Sequence, residues 1–303
     1  MSRLPIIVAP MFLISNPAMV IEASRAGAIG SFPLLNARPA SACAEWLQEI
    51  KEALPSEPWA VNFICHPVAN ARFEEDLQLI EQYEPPIVIT SLGNPKRVID
   101  IVHRYGGKVY ADVANVKHAE KSAATGVDGL ILVCAGAGGH GGQLNPFGFV
   151  SAVKKFFTGT IILSGSISSG ADILAAQIMG ADYAYLGTRF IACHEGNAPD
   201  DYKQMVIDSQ TDDILYTDAF SGVHVNVLIP SLVKEGIDPA SLKPREDIDL
   251  THLVNVKAWR DIWSAGHGVT NIEKRESMRE IMTLLQEEYE HAKHRVSEMT
   301  IAL

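Results

Sequence analysis

Through residue 190 the chain repeats one pattern: a short apolar run, a loop, then a stretch with apolar residues at helical spacing. The apolar runs fall at 6–11, 28–32, 59–64, 87–91, 107–113, 129–134, 160–164 and 184–187. Helical patterns follow at 18–25, 42–54, 73–83, 96–104, 116–124, 149–156 and 171–179. No two runs are joined by a hairpin turn. Strands that alternate with helices pair in parallel through right-handed crossovers. Eight such units predict an α/β chain closed into a (β/α)₈ barrel (TIM barrel). A doubly wound open sheet gives a similar string, but no switch point or dinucleotide fingerprint stands between the units.

After Phe190 the rhythm breaks. Residues 1–193 are read as the barrel. Residues 194–258 are read as an insertion packed over its mouth, with a helical piece at 202–209 and a β-like run at 213–217. Residues 259–303 are read as C-terminal helices packed on the barrel, at 259–263 and 272–299. The last of these carries Met278, Ile281, Leu284, Leu285 and Tyr289 at core spacing.

One loop stands out. Cys134-Ala-Gly-Ala-Gly-Gly-His140-Gly-Gly-Gln-Leu-Asn145-Pro146-Phe147 sets a single imidazole among five glycines, between a strand and a helix. Glycine lets a flat ligand approach the main chain, at a cost in folding entropy. Strand-to-helix loops are where α/β folds place chemistry. His140 is therefore the candidate catalytic group, since histidine suits proton transfer near neutrality. The bland alternative is a glycine-rich loop with an incidental histidine that only bonds the backbone.

Charge and cysteine usage narrow the partners. A formal net charge of −11 over 303 residues argues against non-specific nucleic-acid or anionic-membrane binding. A phosphate would have to be held locally, by backbone N–H groups. Cys43, Cys65, Cys134 and Cys193 are far apart and form no CxxC, so they read as reduced thiols of a cytoplasmic protein. No signal-peptide pattern opens the sequence and no apolar run approaches a membrane span.

A second constellation lies at 163–167 and 186–189. In a (β/α)₈ barrel the loops after strands seven and eight lie side by side and commonly hold a phosphate. Ser164, Gly165 and Ser166 with Gly187 and Thr188 are the candidates, glycines for close approach and hydroxyls as added donors. Alone, each is an ordinary loop dipeptide. Asn62 sits mid-strand among apolar residues; its amide must either hold a core backbone group or face the mouth. Pro10 and Met11 would offer apolar surface beneath a flat ring. A phosphate at one side and a flat heterocycle across the mouth fit flavin mononucleotide (FMN).

These motifs resemble the nitronate monooxygenase family, formerly the 2-nitropropane dioxygenases. The resemblance rests on Ala9-Pro10-Met11-Phe12, Val61-Asn62-Phe63, Thr90-Ser91-Leu92-Gly93, the glycine-flanked His140, Asn145-Pro146-Phe147, Leu163-Ser164-Gly165, Gly180 to Phe190, and Trp263-Ser-Ala-Gly266. It implies an FMN-dependent TIM-barrel oxidoreductase, related to FMN-dependent enoyl-acyl-carrier-protein reductases. It implies that Pro10, Met11, Asn62, Ala137, Gly138, Gly139, Ser164, Gly165, Ser166, Gly187 and Thr188 line the cofactor. His140 would face the reactive side of the ring, taking a proton from a nitroalkane or steadying a nitronate. A nitronate and O2 would be the small-molecule partners and a carbonyl compound and nitrite the products, with room left for a homodimer. One residue departs from the pattern: relatives with this histidine often carry a lysine near the end of strand five, where this chain has Asp112.

Two other functions stay open at this point. One is an NAD(P)H-dependent flavin reductase acting on a quinone or enoyl thioester. The other is a non-catalytic flavin- or phosphate-binding barrel. His267 reads equally as a mouth residue or a turn histidine, and His66 as structural. Cys134 reads as core. Cys193-His194-Glu195 is rejected as a zinc site, because neighbours on an extended chain point apart and no second ligand pair exists. Lys117, His118 and Lys121 read as a solvated helix face.

Overall fold

A computed structural model describes residues 3–245, 247–249 and 260–301. Eight strands form one parallel sheet: β1 (Ile6–Val8), β2 (Gly30–Pro33), β3 (Trp59–Ile64), β4 (Ile87–Ser91), β5 (Lys108–Val113), β6 (Gly129–Val133), β8 (Thr160–Ser164) and β9 (Tyr183–Leu186). Strand β7 (Gly139–His140) lies outside it, in the loop after β6. The sheet runs β1-β9-β8-β6-β5-β4-β3-β2, and its two ends meet. Val8 N–H donates to the Ile29 carbonyl at 2.9 Å, and Ile29 N–H to that of Ile6 at 3.0 Å. The predicted closed barrel is therefore present.

Between the strands run α1 (Pro17–Arg25), α2 (Ala40–Ala53), α3 (Phe73–Tyr83), α4 (Lys96–Val102), α5 (Val116–Ala124), α6 (Pro146–Val153) and α7 (Gly170–Met179). Short polar residues start several of them, each satisfying an orphan N–H of the first turn. Asn16 caps α1 through Met19 N–H, Asn115 caps α5 through His118 N–H, and Ser169 forms a capping box with Asp172 on α7.

Side-chain parity divides the core in two. Ile7, Ile29, Ala60, Ile87, Ile89, Tyr110, Ile131, Ile162 and Tyr185 fill the barrel interior. Their neighbours in sequence, such as Ile6, Val61, Val88, Val109, Leu130 and Leu163, pack outward with the helices. Strands buried on both faces explain the unbroken apolar runs, because successive residues face opposite sides.

Beyond β9 the chain forms α8 (Asp200–Asp208), strands β10 (Ile214–Thr217) and β11 (Val225–Leu228), and α9 (Ile229–Lys234). The helix α10 (Met278–Ile301) packs on α7 so closely that a Cβ on Gly170 would lie 2.2 Å from Tyr289 N. Two sequence expectations need correcting. The last helix starts at Met278 rather than 272, and the 37% exposed Leu284 faces outward while Met282 takes the buried position. The segment expected to be helical at 259–263 starts outside the described residues, and of the rest only Arg260 and Asp261 are helical.

Buried charges tie the late segments to the barrel. Arg189, after β9, pairs with Glu276 at 2.9 Å, and both are buried. The buried Lys203 of α8 donates to the carbonyls of Cys193 and Gly196 at 2.7 and 2.8 Å. Breaking a buried pair from one side leaves an uncompensated charge. Arg189→Met is thus expected to lose about 3–5 kcal/mol in denaturant unfolding, and Arg189→Met with Glu276→Leu much less. A loss below about 1 kcal/mol in the single variant would contradict this role.

Candidate active site

The interior parity that buries Ile7 and Ile131 turns polar at the C-terminal end of the barrel. Asn62 shares the parity of Ala60, Ser91 that of Ile89, Asp112 that of Tyr110, and Ser164 that of Ile162. All four therefore face the mouth. Asn62 Nδ2 donates to Ser91 Oγ at 2.7 Å and to the Ile89 carbonyl at 3.2 Å. Ser91 Oγ donates to Asp112 Oδ2 at 2.5 Å. The other carboxylate oxygen, Oδ1, is shielded from solvent and has no hydrogen-bond partner. Burial pushes this acid up to about 6, against which the Ser91 hydroxyl acts. Tyr185, buried in β9, is raised well above the usual phenol range by burial and then by the charge of Asp112.

Across the mouth, on β8 and β9, the backbone closes on itself. Gly136 (φ +79°) would place a Cβ 2.1 Å from Ser166 Oγ and 2.8 Å from His267 Nδ1. At Gly165 (φ +122°) a Cβ would lie 2.8 Å from the Ala135 carbonyl oxygen. Only glycine tolerates both the conformation and the approach. Ser166 follows at φ +58°, so the chain turns through two successive left-handed residues. Thr188 Oγ1 accepts from Gly266 N–H at 2.8 Å, and His267 N–H donates to the Gly136 carbonyl at 2.9 Å. Met11 lies beside Gly187, its Sδ 3.7 Å from the Cβ position there.

The structure thus brings Met11, Ala137, Gly138, Ser164, Gly165, Ser166, Gly187 and Thr188 to one side of the mouth. Pro10 is half-buried beside Met11. Asn62 stands on the facing wall. Ala137 and Ser164 are buried, whereas Gly138 and Ser166 are exposed.

His140 is not in a free-standing loop. Gly139–His140 form β7, antiparallel to β11, with His140 opposite Val225 and Gly139 opposite Asn226. Strand β10 pairs β11 on its other edge. The β-like run read at 213–217 is β10, but sequence reading missed its pairing with β11 and β7 and missed Asn226, whose Nδ2 donates to the Ala137 carbonyl at 2.6 Å. Asn226 is 1% exposed and its Oδ1 has no partner. The signal was available: Asn226 interrupts Val225-Asn-Val-Leu228 as Asn62 interrupts Val61-Asn-Phe63. Tyr216 of β10 also reaches the loop, its hydroxyl donating to the Gly141 carbonyl at 3.1 Å.

The remaining singled-out residues have structural surroundings. Cys134 is fully buried and its thiol is pushed up to about 12 by burial, so it is a poor thiolate. Glu195 accepts from Met278 N–H at 3.0 Å, while the Cys193 carbonyl holds Lys203. The His66 carbonyl turns the loop after β3 by accepting from Ala69 and Asn70 N–H. Lys117, His118 and Lys121 are exposed on α5. His267 stands against the cradle, as the Gly136 contact requires. Asn226→Ala is expected to speed amide hydrogen exchange across 135–142 at least tenfold, the loss of about 1–3 kcal/mol of local hydrogen bonding, while β1–β6 stay protected. Unchanged exchange in that loop would remove Asn226 as its anchor.

The family model described as nitronate monooxygenase matches residues 31–288. A nitronate monooxygenase of Paraburkholderia phytofirmans is 28% identical over 285 residues, 79% of this chain and 77% of that protein. A probable nitronate monooxygenase of Staphylococcus haemolyticus is 26% identical over 190 residues, 58% of this chain and 52% of that protein. Among solved structures, FabK from Thermotoga maritima superposes with a TM-score of 0.80 at 21% identity, covering 97% of this chain and 95% of that one. A nitroalkane oxidase from Streptomyces ansochromogenes does so with a TM-score of 0.80 at 21% identity, covering 97% of each chain. At such identity these two share the fold. With the family model spanning most of its length, the chain belongs to the nitronate monooxygenase family and is an oxidoreductase of that type.

Proposed function

We propose that this protein binds FMN across the C-terminal mouth of the barrel and oxidises alkyl nitronates with O2 to carbonyl compounds and nitrite. One observation carries the reading. The loop after β6 meets the loops after β8 and β9 and the Gly266–His267 segment around Gly136, Gly138 and Gly165, where added Cβ atoms would lie 2.1–2.9 Å from Ser166 Oγ, Gly266 N and the Ala135 carbonyl oxygen, while Gly187 leaves ordinary contact with Ala9 and Met11. Such a cradle would offer a phosphate backbone N–H groups rather than side-chain charge, which suits a chain of net charge −11. The fit extends across the mouth. The partnerless Asp112 Oδ1 stands on the facing wall with Asn62 and Ser91, where a ring anchored at β8 and β9 would end.

Bound there, FMN would supply the redox chemistry, taking an electron from substrate and passing it to O2. The chain's own residues would do the rest. Ser164 to Ser166 with Gly187 and Thr188 would hold the phosphate. Met11 and Pro10 would bear on the ring. His140, fixed by β11, would accept the α-proton of a neutral nitroalkane or, as imidazolium, hold a nitronate oxygen. Ala137 to Gly139 would keep backbone beside the ligand where side chains would collide.

A second reading, an NAD(P)H-dependent flavin reductase acting on a quinone or enoyl thioester, is favoured by Asp112. A carboxylate beside the ring does not stabilise added negative charge as a cation would. The absorption spectrum of the purified protein, with mass measurement of the released chromophore, tests FMN. Anaerobic mixing then separates the readings: a nitronate is expected to bleach the flavin and reduced nicotinamide to leave it yellow. The reverse result supports the reductase. His140→Ala is expected to retain flavin and slow nitronate turnover about 10²–10⁴-fold. Unchanged turnover would take His140 out of the reaction.

A further inference from the structure

One ionisable group at the mouth is left incompletely satisfied, Asp112. Its Oδ2 is engaged by Ser91, and Asn62 orients Ser91 from the next strand. Oδ1 is shielded and has no partner. A buried acceptor without a donor costs free energy unless a ligand satisfies it or a proton occupies it.

Among the described residues its surroundings supply no compensating charge. Strand β4 contributes the Ser91 hydroxyl, and β3 contributes Asn62 behind it. On β6, Asp112 is in register with Ile131, and the next interior residue is Val133. From β9, Tyr185 is the titratable group close enough to feel the carboxylate. Among the described residues, no cation stands with the groups that set the acidity of Asp112.

Resting on the FMN reading, we infer that Asp112 is the redox-linked proton acceptor of the site: reduction of the bound ring draws a proton from solvent onto Asp112 Oδ1. The step balances simply. Two electrons enter from the reductant, one proton goes to the ring and one to Asp112, and no bond of the protein breaks. The drive is electrostatic. Negative charge added beside a carboxylate makes its ionised form less favourable, and low local polarity enlarges that effect. Asp112 is therefore a positioning and tuning residue. It replaces a fixed counter-charge with a proton that arrives only when the ring is reduced.

Burial raises Asp112 to about 6 in the flavin-free protein, and a ring bound over it, by desolvating it further, would set its titration before reduction at or above that value. Below that pH it is protonated in both redox states and adds nothing to the proton count. Above it, the oxidised site holds a carboxylate and the reduced site a carboxylic acid, so reduction takes up one extra proton per electron pair. The midpoint potential then falls more steeply with pH, until the acid of the reduced site also ionises.

The test is the midpoint potential of the flavin-loaded protein against pH, by equilibrium dithionite titration, for wild type, Asp112→Asn and Ser91→Ala. The wild type and Asp112→Asn are expected to coincide below about pH 6. Above it the wild type should lie at the lower potential, its slope larger by one proton per two electrons. Ser91→Ala removes the bond that favours the carboxylate, so its break should move to higher pH. It also serves if Asp112→Asn does not fold. Equal slopes for wild type and Asp112→Asn, or an unmoved break in Ser91→Ala, would overturn the inference and leave FMN binding intact. Failure of the wild type to take up flavin would overturn the FMN reading, and this inference with it.

Discussion

At the mouth of this barrel three loops approach one another more closely than side chains would allow. The Gly136–Gly138 backbone lies against Gly266 and His267 on one side and against Ser166 and Thr188 on the other. The Thr188 hydroxyl accepting from Gly266 N–H closes that contact. Everything proposed for the site depends on it. A single methyl group at Gly136 or Gly165 would meet a polar atom inside 3.0 Å while also straining a left-handed residue. The glycines are thus the means by which these loops pack backbone to backbone.

A barrel is well suited to this. Parallel strands commit alternate residues inward, and the inward set is apolar in the middle of β3, β4 and β5 but polar at their ends. The polar end layer is unfavourable for folding by itself. Desolvation raises Asp112 to about 6, and its Oδ1 goes unmatched. The buried ion pair of Arg189 with Glu276 ties the segment after His267 to the end of β9, and Lys203 ties α8 to the carbonyls of Cys193 and Gly196. Stability elsewhere supports local cost at the mouth.

Much of this was legible in the residues. The eight apolar runs mark the eight strands because burial on both faces removes polar interruptions. Asn16-Pro17 marks the start of α1 because the cap uses the asparagine side chain. The adjacency of Ser164–Ser166 with Gly187–Thr188 follows from strand order alone. Strand β10 was legible as the run at 213–217, but its pairing through β11 with β7 was not. A two-residue strand has no periodicity, and its partner comes some 85 residues later in the sequence. Leu284 was misassigned as core because a helix at a domain surface buries a stripe whose phase depends on its neighbour, here α7. The weakened acidity of Asp112 was equally invisible, since it arises from burial in the closed barrel, which the Ser91 hydroxyl on another strand partly offsets.

The account stands on the cradle, and the cradle makes a demand on the ligand's phosphate. Two or more charge-assisted hydrogen bonds from its backbone donors, at about 1.5–3 kcal/mol each, should favour FMN over riboflavin by at least ~100-fold. Dissociation constants of the two flavins for the same apoprotein, from fluorescence quenching at one ionic strength, measure this directly. FMN binding at least ~100-fold tighter is the predicted result. Equal affinity for the two would mean that Ser164–Ser166 and Gly187–Thr188 do not hold a phosphate.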